Sequence, residues 1–347
     1  MDIYLPIAGI SENLVGLLLL GLISGMFSGL LGIGGGIIVT PVLIFLGISP
    51  AIAAATSANQ MVGTSVSGVY THLRYGTIDS KLGIVLIAGS LLGGVVGVEL
   101  LHHLPRKGPA DLLISSTYVA VCGLVGLSIL LDAAGWSNRK NRGIERFRNF
   151  LFGLSFKMTF ERTGLSVSVI PLLGAGFITG FMASIMGIGG GFLIVPILVY
   201  LLGLPMLLVT GTSLFQISIT SILVTLLQSS LNQSVDLILA MVLLAGSSIG
   251  VVLGIKIAKH QAESRLKILL ALLILSVTIA MIYHISSGIF SLKEAGPIPA
   301  AVSPVGGLAG YALAHPLIYG SLSVLGALFL GLLFAVFIRK GESFWNR

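Results

Sequence analysis

Long apolar runs, separated by short polar or glycine-rich stretches, recur along nearly the whole chain: 14 to 31, 51 to 71, 82 to 101, 110 to 131, 166 to 186, 206 to 227, 237 to 255, 268 to 285 and 317 to 338. Each is close to the ~20 residues with which a helix rising 1.5 Å per residue crosses a hydrocarbon layer of ~30 Å. Two further apolar segments, 37 to 47 and 192 to 202, hold only 11 residues each, roughly 17 Å of helix, and are too short to cross comfortably. The pattern predicts an all-α fold, a polytopic transmembrane helical bundle with no room for a soluble domain.

Composition excludes the alternatives. Of 347 residues, 55% are hydrophobic and 9% charged, where soluble domains carry roughly a quarter charged residues. The net charge of +7 does not point to nucleic acid, because seven of the 19 Lys and Arg fall between Arg139 and Arg162 and most others flank the apolar runs. That distribution is the positive-inside signal that orients a membrane protein. The first run is preceded by Asp2 and Glu12 and by no basic residue, so it lacks the n-region of a cleavable signal peptide and is expected to be retained. Cys122 is the single cysteine and lies within an apolar run, where a lone thiol packs as a small hydrophobe.

The chain repeats itself. Gly25, Gly32, Gly34, Gly35, Gly36 and Pro41 return as Gly180, Gly187, Gly189, Gly190, Gly191 and Pro196, all 155 positions on. Thr56, Ser57 and Gln60 return as Thr212, Ser213 and Gln216 at 156, and Asp79, Gly89, Ser90, Gly93 and Gly97 as Asp236, Gly246, Ser247, Gly250 and Gly254 at 157. Two units follow, 12 to 131 and 166 to 285, each with a long helix, a glycine break, a short apolar segment and three further helices. Between them 132 to 165 reads as a basic cytoplasmic linker. The stretch 286 to 316 reads as an extracytoplasmic loop, and 317 to 338 as an additional transmembrane helix with no counterpart in either unit. With the linker, the loop bearing Lys256, Lys259, Arg265 and Lys267, and the C-terminus inside, and Asp2 and Glu12 outside, the number of crossings before the linker is odd. The units then face opposite ways, an inverted repeat of the kind found in secondary transporters. Arg106 and Lys107 run against this scheme, since it puts them outside.

The glycine runs carry the candidate chemistry. Three adjacent glycines, Gly34, Gly35 and Gly36, or Gly189, Gly190 and Gly191, unwind a helix. In a bilayer such backbone survives only when buried in protein or lining a watery cavity, and the helix that restarts presents the positive end of its dipole to an anion. The same glycines could instead let two helices cross closely. Gly89, Gly93 and Gly97, with Gly246, Gly250 and Gly254, keep a spacing of four and read as helix packing. Neither run is a nucleotide motif, because the final glycine of G-x-G-x-x-G, a βαβ context and a P-loop Lys-Ser/Thr are missing. Thr56, Gln60, Gly63, Ser67, Tyr70 and Arg74 form one polar or small stripe on a helix, bordered by Asn59; Thr212 or Ser213, Gln216 and Thr220 form a shorter one, with Gln228 as a candidate further member. Such hydroxyls and amides can ligate an oxyanion or bond between helices. Arg74 can attract an anion or snorkel to headgroups. The candidate substrate ligands are thus both glycine triplets with Thr56, Ser57, Asn59, Gln60, Arg74, Thr212, Ser213 and Gln216.

With the twin G-x-G-G-G breaks, Pro41 and Pro196, Thr56-Ser57 and Thr212-Ser213, and Leu73-Arg74-Tyr75-Gly76-Thr77-Ile78-Asp79 on the page, the chain resembles the TauE/SafE sulfite-exporter family of permeases. The resemblance covers both units. It implies a multi-pass protein of the cytoplasmic membrane that exports a small sulfur-containing anion, sulfite or an organosulfonate. A proton and Na+ are both open as coupling ion, since no buried carboxylate that could carry a proton is obvious in the spans. The long basic linker, the added helix, and Leu231-Asn232-Gln233 where the first unit has Arg74-Tyr75-Gly76 depart from it. An anion channel, a non-transporting scaffold or an intramembrane enzyme are the competing readings. The chain has no H-E-x-x-H, no G-x-S-G and no acidic cluster at metal-ligand spacing within a span, so neither enzyme activity, metal nor cofactor is expected.

Overall fold

A computed structural model describes residues 2–104, 109–133, 157–159, 166–286 and 308–345. It is almost entirely helical: α1 Leu14–Leu31, α2 Gly36–Phe45, α3 Pro50–Tyr75, α4 Ser80–His103, α5 Pro109–Ala133, α6 Val169–Met186, α7 Gly191–Pro196, α8 Met206–Leu227, α9 Leu237–Lys259, α10 Glu263–Ser286, α11 Leu308–Ala314 and α12 Pro316–Trp345. The short α7 continues as a π-helical turn, Ile197–Leu201. A small antiparallel hairpin leads into the first helix of each unit, β1 Asp2–Leu5 with β2 Ile10–Asn13, and β3 Lys157–Thr159 with β4 Ser166–Ser168. The greater part of the expected linker and of the 286 to 316 loop lies outside the described residues. Within that loop the chain forms α11, and α12 extends several residues beyond the expected end of the last apolar run.

Among the described residues, eight helices are long and apolar enough to cross a membrane. The helix α3 is not among them, although its 26 residues reach about 39 Å at 1.5 Å per residue. Its polar stripe lowers its hydropathy, which is tolerable because nearly every residue from Ile52 to Ser65 is buried against other helices. A lipid-facing helix has no such freedom.

The two units interlock. The first helix of each packs on the fourth of the other, α1 on α9 and α6 on α4; α3 packs on α8, and α5 on α10. Gly21, Gly25 and Gly29 of α1 lie directly against the backbone of Leu243, Ser247 and Val251, and Gly89 and Gly93 of α4 against Leu173 and Phe177 of α6. In return Gly246, Gly250 and Gly254 meet Leu18, Leu22 and Met26, while Gly176 and Gly180 meet Leu86 and Ser90. The glycines at spacing four are thus helix-packing residues, and absent side chains let the backbones touch. Contacting positions rise together along both partners, so the helices of each pair are parallel. The same holds for α3 on α9, where Gly63 meets Leu244 and Gly68 meets Val251, and for α4 on α8, where Gly83 meets Phe215 and Gly94 meets Val224. Because the chain reverses at Gly76–Asp79, α1, α3 and α9 run one way and α4, α6 and α8 the other.

The added helix α12 seats on α3. Asn59 Nδ2 donates to Ser323 Oγ, Ser67 Oγ donates to the Gly331 carbonyl at 2.7 Å, and Gly63 lies against Gly331 and Ala327. At the corresponding positions of α8, offset by 156, stand Phe215, Ile219 and Leu223. A polar, small face therefore exists on α3 where α12 covers it and is replaced by large apolar residues on α8.

A Cβ at Gly93 would overlap the Phe177 carbonyl, whereas Gly174 has nothing within 4 Å of one. We expect Gly93→Ala to destabilise the detergent-solubilised protein by about 1–3 kcal/mol through overpacking, and Gly174→Ala to be neutral or slightly stabilising through helix propensity. Thermal unfolding of the two variants beside the parent tests this.

Candidate functional site

The glycine breaks meet at the centre of the bundle. Gly32 ends α1 at φ 73, and Gly34 and Gly35 follow at φ 86 and 83; Gly187, Gly189 and Gly190 repeat this at 68, 79 and 74. These left-handed values explain why glycine occupies all six positions. The chain turns back at each break, so that Gly35 packs on Ser24 of α1 and Gly190 on Thr179 of α6. Gly36, which opens α2, lies on the Gly187 carbonyl, and Gly191, which opens α7, on the Gly32 carbonyl. Each break therefore rests on the helix end that the other unit breaks from.

Neither α2 nor α7 has a side-chain cap. The start of α2, with the positive end of its dipole, lies at the protein centre, where the Ile38 and Val39 N–H groups bond to the Gly35 carbonyl at 3.1 and 3.3 Å. Between the breaks sit Met61 of α3, against Gly34, Gly36 and Gly189, and Ile217 of α8, its counterpart at an offset of 156, against Gly34, Gly189 and Gly191. Tyr118 of α5 braces both breaks. Its hydroxyl donates to the Met186 carbonyl at 3.0 Å, with the Gly36 carbonyl at 3.5 Å.

One residue before Met61 and Ile217 come Gln60 and Gln216, both fully buried. Gln216 Nε2 donates to Thr179 Oγ1 at 3.0 Å, beside Gly190. Gln60 Nε2 donates instead to Thr64 Oγ1 at 2.9 Å. Polar pairs extend from both: Thr64 Oγ1 lies 2.5 Å from Ser247 Oγ, and its counterpart Thr220 Oγ1 lies 2.7 Å from Ser90 Oγ. The carbonyl oxygens of both glutamines, Gln60 Oε1 and Gln216 Oε1, are buried without a hydrogen-bond partner. All of these groups are closed off from solvent in this structure.

The remaining sequence-predicted ligands are placed less uniformly. Ser213 Oγ donates to the Gly32 carbonyl at 2.6 Å and so belongs to the break; the Ser57 hydroxyl is buried with no partner. Thr56 Oγ1 accepts from the Asp236 N–H at 3.0 Å, and Thr212 Oγ1 from the Asp79 N–H at 3.1 Å. Both threonines thus tie one unit to the start of the other's fourth helix. There the aspartates cap, Asp79 Oδ1 accepting from the Leu82 N–H and Asp236 Oδ1 from the Leu239 N–H, each at 3.1 Å. Asn59 faces α12. Arg74 stands at the exposed end of α3 with its guanidinium 5.1 Å from the Tyr70 ring centroid, away from the breaks. Sequence reasoning placed Thr220 on the shorter polar stripe but passed over Met61, Ile217, Tyr118, Ser24, Thr179 and Thr64. The threonine pair was detectable at the 156 offset, whereas Tyr118, which has no counterpart, carried no such signal.

Residues 17–281 match the family model described as "Sulfite exporter TauE/SafE". The chain belongs to this family. Its relatives include "Probable membrane transporter protein YunE" of Bacillus subtilis, 27% identical over 289 residues that cover 79% of this chain and 98% of that protein. "Probable membrane transporter protein YjnA" of the same organism is 30% identical over 262 residues, covering 75% and 96%. A "Probable membrane transporter protein" of Xylella fastidiosa is 27% identical over 264 residues, covering 75% and 91%. No solved structure matches the chain. Family, relatives and apolar helices together make this TauE/SafE protein a multi-pass membrane transporter, and α12 lies outside the matched region.

Loss of the hydroxyl at position 212 leaves a buried N–H of Asp79 unpaired. Thr212→Val is expected to cost about 1–3 kcal/mol of stability and Thr212→Ser much less, read as the melting temperatures of the purified variants.

Proposed function

We propose that this TauE/SafE protein is a secondary transporter that exports a small anion, sulfite or an organosulfonate, across the cytoplasmic membrane, with a proton or Na+ as coupling ion. The observation that carries the reading is the contact between the two glycine breaks at the buried centre, with the uncapped start of α2 lying there. An anion can be held there by backbone N–H groups without a fixed positive charge. Gln60, Gln216 and Ser213 line the same level and supply side-chain contacts. Arg74 serves at the entrance, where an exposed cation raises the local concentration of anions.

The oppositely running helices support an inverted repeat built from units 12 to 131 and 166 to 285. Rocking one unit against the other would open the centre to each side in turn. Arg74, Lys81 and Lys259 gather at one end of the bundle, where Lys259 Nζ lies 4.6 Å from the Tyr75 ring centroid. By the positive-inside rule that end faces the cytoplasm. The N-terminal hairpin then lies outside, and the linker and C-terminus inside. No part of this reading requires an enzyme's machinery.

Uptake of radiolabelled sulfite into proteoliposomes, with and without imposed pH and Na+ gradients, tests the reading. Gradient-driven accumulation is expected; a linear conductance without accumulation would make the protein a channel. Gln60→Ala and Gln216→Ala are expected to lower transport at least about tenfold, the scale of one lost buried hydrogen bond, at normal membrane levels. Normal transport by both variants would assign the glutamines to packing.

A further inference from the structure

The helices α3 and α8 meet differently from the helices around them. Where α1 lies on α9 and α6 on α4, glycines bring backbone against backbone, and pairs so close cannot part without losing the packing that holds them. Between α3 and α8 the contact is made by side chains: Gly68 lies against the Leu214 side chain, and Met61 and Ile217 both reach Gly34 and Gly189. Those contacts fix one face of each helix. On α3 it carries Ser57, Met61, Ser65 and Gly68, at steps of four, four and three; on α8 it carries Leu214, Ile217, Ser221 and Thr225, at three, four and four. Such steps keep residues on one side of a helix. Ser65 is bracketed on that face by Met61 one turn before it and Gly68 one turn after it, and Ser221 continues the line of Leu214 and Ile217.

The hydroxyls on these faces are set apart by their protons. Ser57, Ser65, Ser221 and Thr225 are at most 2% exposed, and none of their hydroxyls has a hydrogen-bond partner. Other buried hydroxyls in these helices, such as those of Ser90, Ser184, Thr64, Thr210 and Thr220, donate back to a carbonyl three or four positions earlier. A hydroxyl that has spent its proton in this way can only accept, which suits a cation; one that has not keeps an O–H donor for an anion. The other unpartnered serines among the described residues, Ser28, Ser115 and Ser248, stand one to a helix, whereas α3 and α8 each carry two such hydroxyls on the faces they turn to each other. Because α3 and α8 run in opposite directions, Ser57 and Ser221 lie on the same side of the Met61–Ile217 level, each about 6 Å from it at 1.5 Å per residue, with Thr225 one turn beyond. Ser65 lies on the other side.

Resting on the transport reading, we propose that Ser57, Ser221 and Thr225 form an oxyanion subsite in the seam between α3 and α8, on the side away from Arg74, and that the transported anion passes along this seam between Met61 and Ile217. Three hydroxyls from two helices donate to the oxygens of one small anion and replace part of its hydration shell without a fixed positive charge. The apolar pair separates the two sides while the seam is closed. Parting α3 from α8 leaves the glycine-locked pairs, α1 with α9 and α4 with α6, intact.

The test uses the full-length protein, in proteoliposomes for uptake and in detergent for thermal unfolding. Ser221→Ala and Thr225→Val, singly and combined with Ser57→Ala in a triple variant, are expected to raise the KM for radiolabelled sulfite at least about tenfold, the scale of one lost hydrogen bond to a charged group. Their melting temperatures are expected to stay unchanged or rise, because each change removes a buried hydroxyl that has no partner, and Thr225→Ser is expected to keep the parental KM. Potassium sulfite is expected to raise the melting temperature of the parent and not that of the triple variant. A parental KM in the triple variant overturns the proposal and leaves the transport reading intact. So does a fall in melting temperature that accounts for the lost transport, which makes the hydroxyls packing groups, or a shift produced by sodium chloride in place of sulfite, which makes the seam a cation site. Absence of sulfite uptake by the parent removes the transport reading; the melting shift then decides the subsite alone, and equal behaviour of parent and triple variant overturns it.

Discussion

Direct backbone contact between the two units is the constraint from which the other features follow. Where Gly25 lies on Ser247 and Gly180 on Ser90, the helices approach more closely than any side chain would permit. In lipid no hydrophobic force drives one apolar helix onto another, so close packing and interhelical hydrogen bonds must do the holding. The same closeness sets the reach of short side chains. Thr64 meets Ser247 beside Gly63, which itself lies against Leu244 of α9, and Thr220 meets Ser90 where α4 packs on α8. It also closes the centre, since Gly36 and Gly191 rest on carbonyls of the opposite unit that a Cβ would displace.

Such a construction has to satisfy its polar groups internally. The N–H groups that open α4 and α9 are met by threonines of the other unit and by their own aspartate caps. The second carboxylate oxygen of Asp236 accepts from the N–H groups of Ile7 and Ala8, at 2.8 and 3.1 Å, which draws the N-terminal hairpin onto the bundle. Other buried groups among the described residues have no partner, Asn59 Oδ1, Asp79 Oδ2 and the Ser57 hydroxyl as well as the equivalent oxygens of Gln60 and Gln216. An unpaired buried acceptor costs about 1–3 kcal/mol.

The repeated unit, its glycine breaks and the packing role of the spaced glycines were legible in the sequence because backbone demands restrict residue choice severely. A left-handed φ or a touching carbonyl admits little but glycine, and both occur twice at one offset. Side-chain roles were less legible. Thr56 and Gln60 repeat equally well, yet one serves Asp236 across the unit boundary and the other lies beside the breaks, because a residue's offset says nothing about which way its helix face turns. Arg74 completes a stripe of regular spacing and still ends at the exposed end of α3, since the stripe continues past the helix's buried length. The seat of α12 was hidden for a different reason: Asn59, Gly63 and Ser67 looked like part of a substrate path, and only their pairing with Ser323 and Gly331 separates them from it.

Departures from the two-fold pattern therefore mark what the two halves do differently. On α3 the face formed by Asn59, Gly63 and Ser67 is held by α12, while α8 presents Phe215, Ile219 and Leu223. The same added helix reaches the second unit, where Tyr319 Oη accepts from the Leu237 N–H at 3.0 Å and donates to the Val235 carbonyl at 3.3 Å. It thereby joins α3 of one unit to the start of α9 of the other. Tyr118 crosses the centre from one unit only. A strictly symmetric pair would have two equivalent ends; α12 and Tyr118, whose hydrogen bonds have no counterpart in the other unit, make the two ends of this bundle unequal.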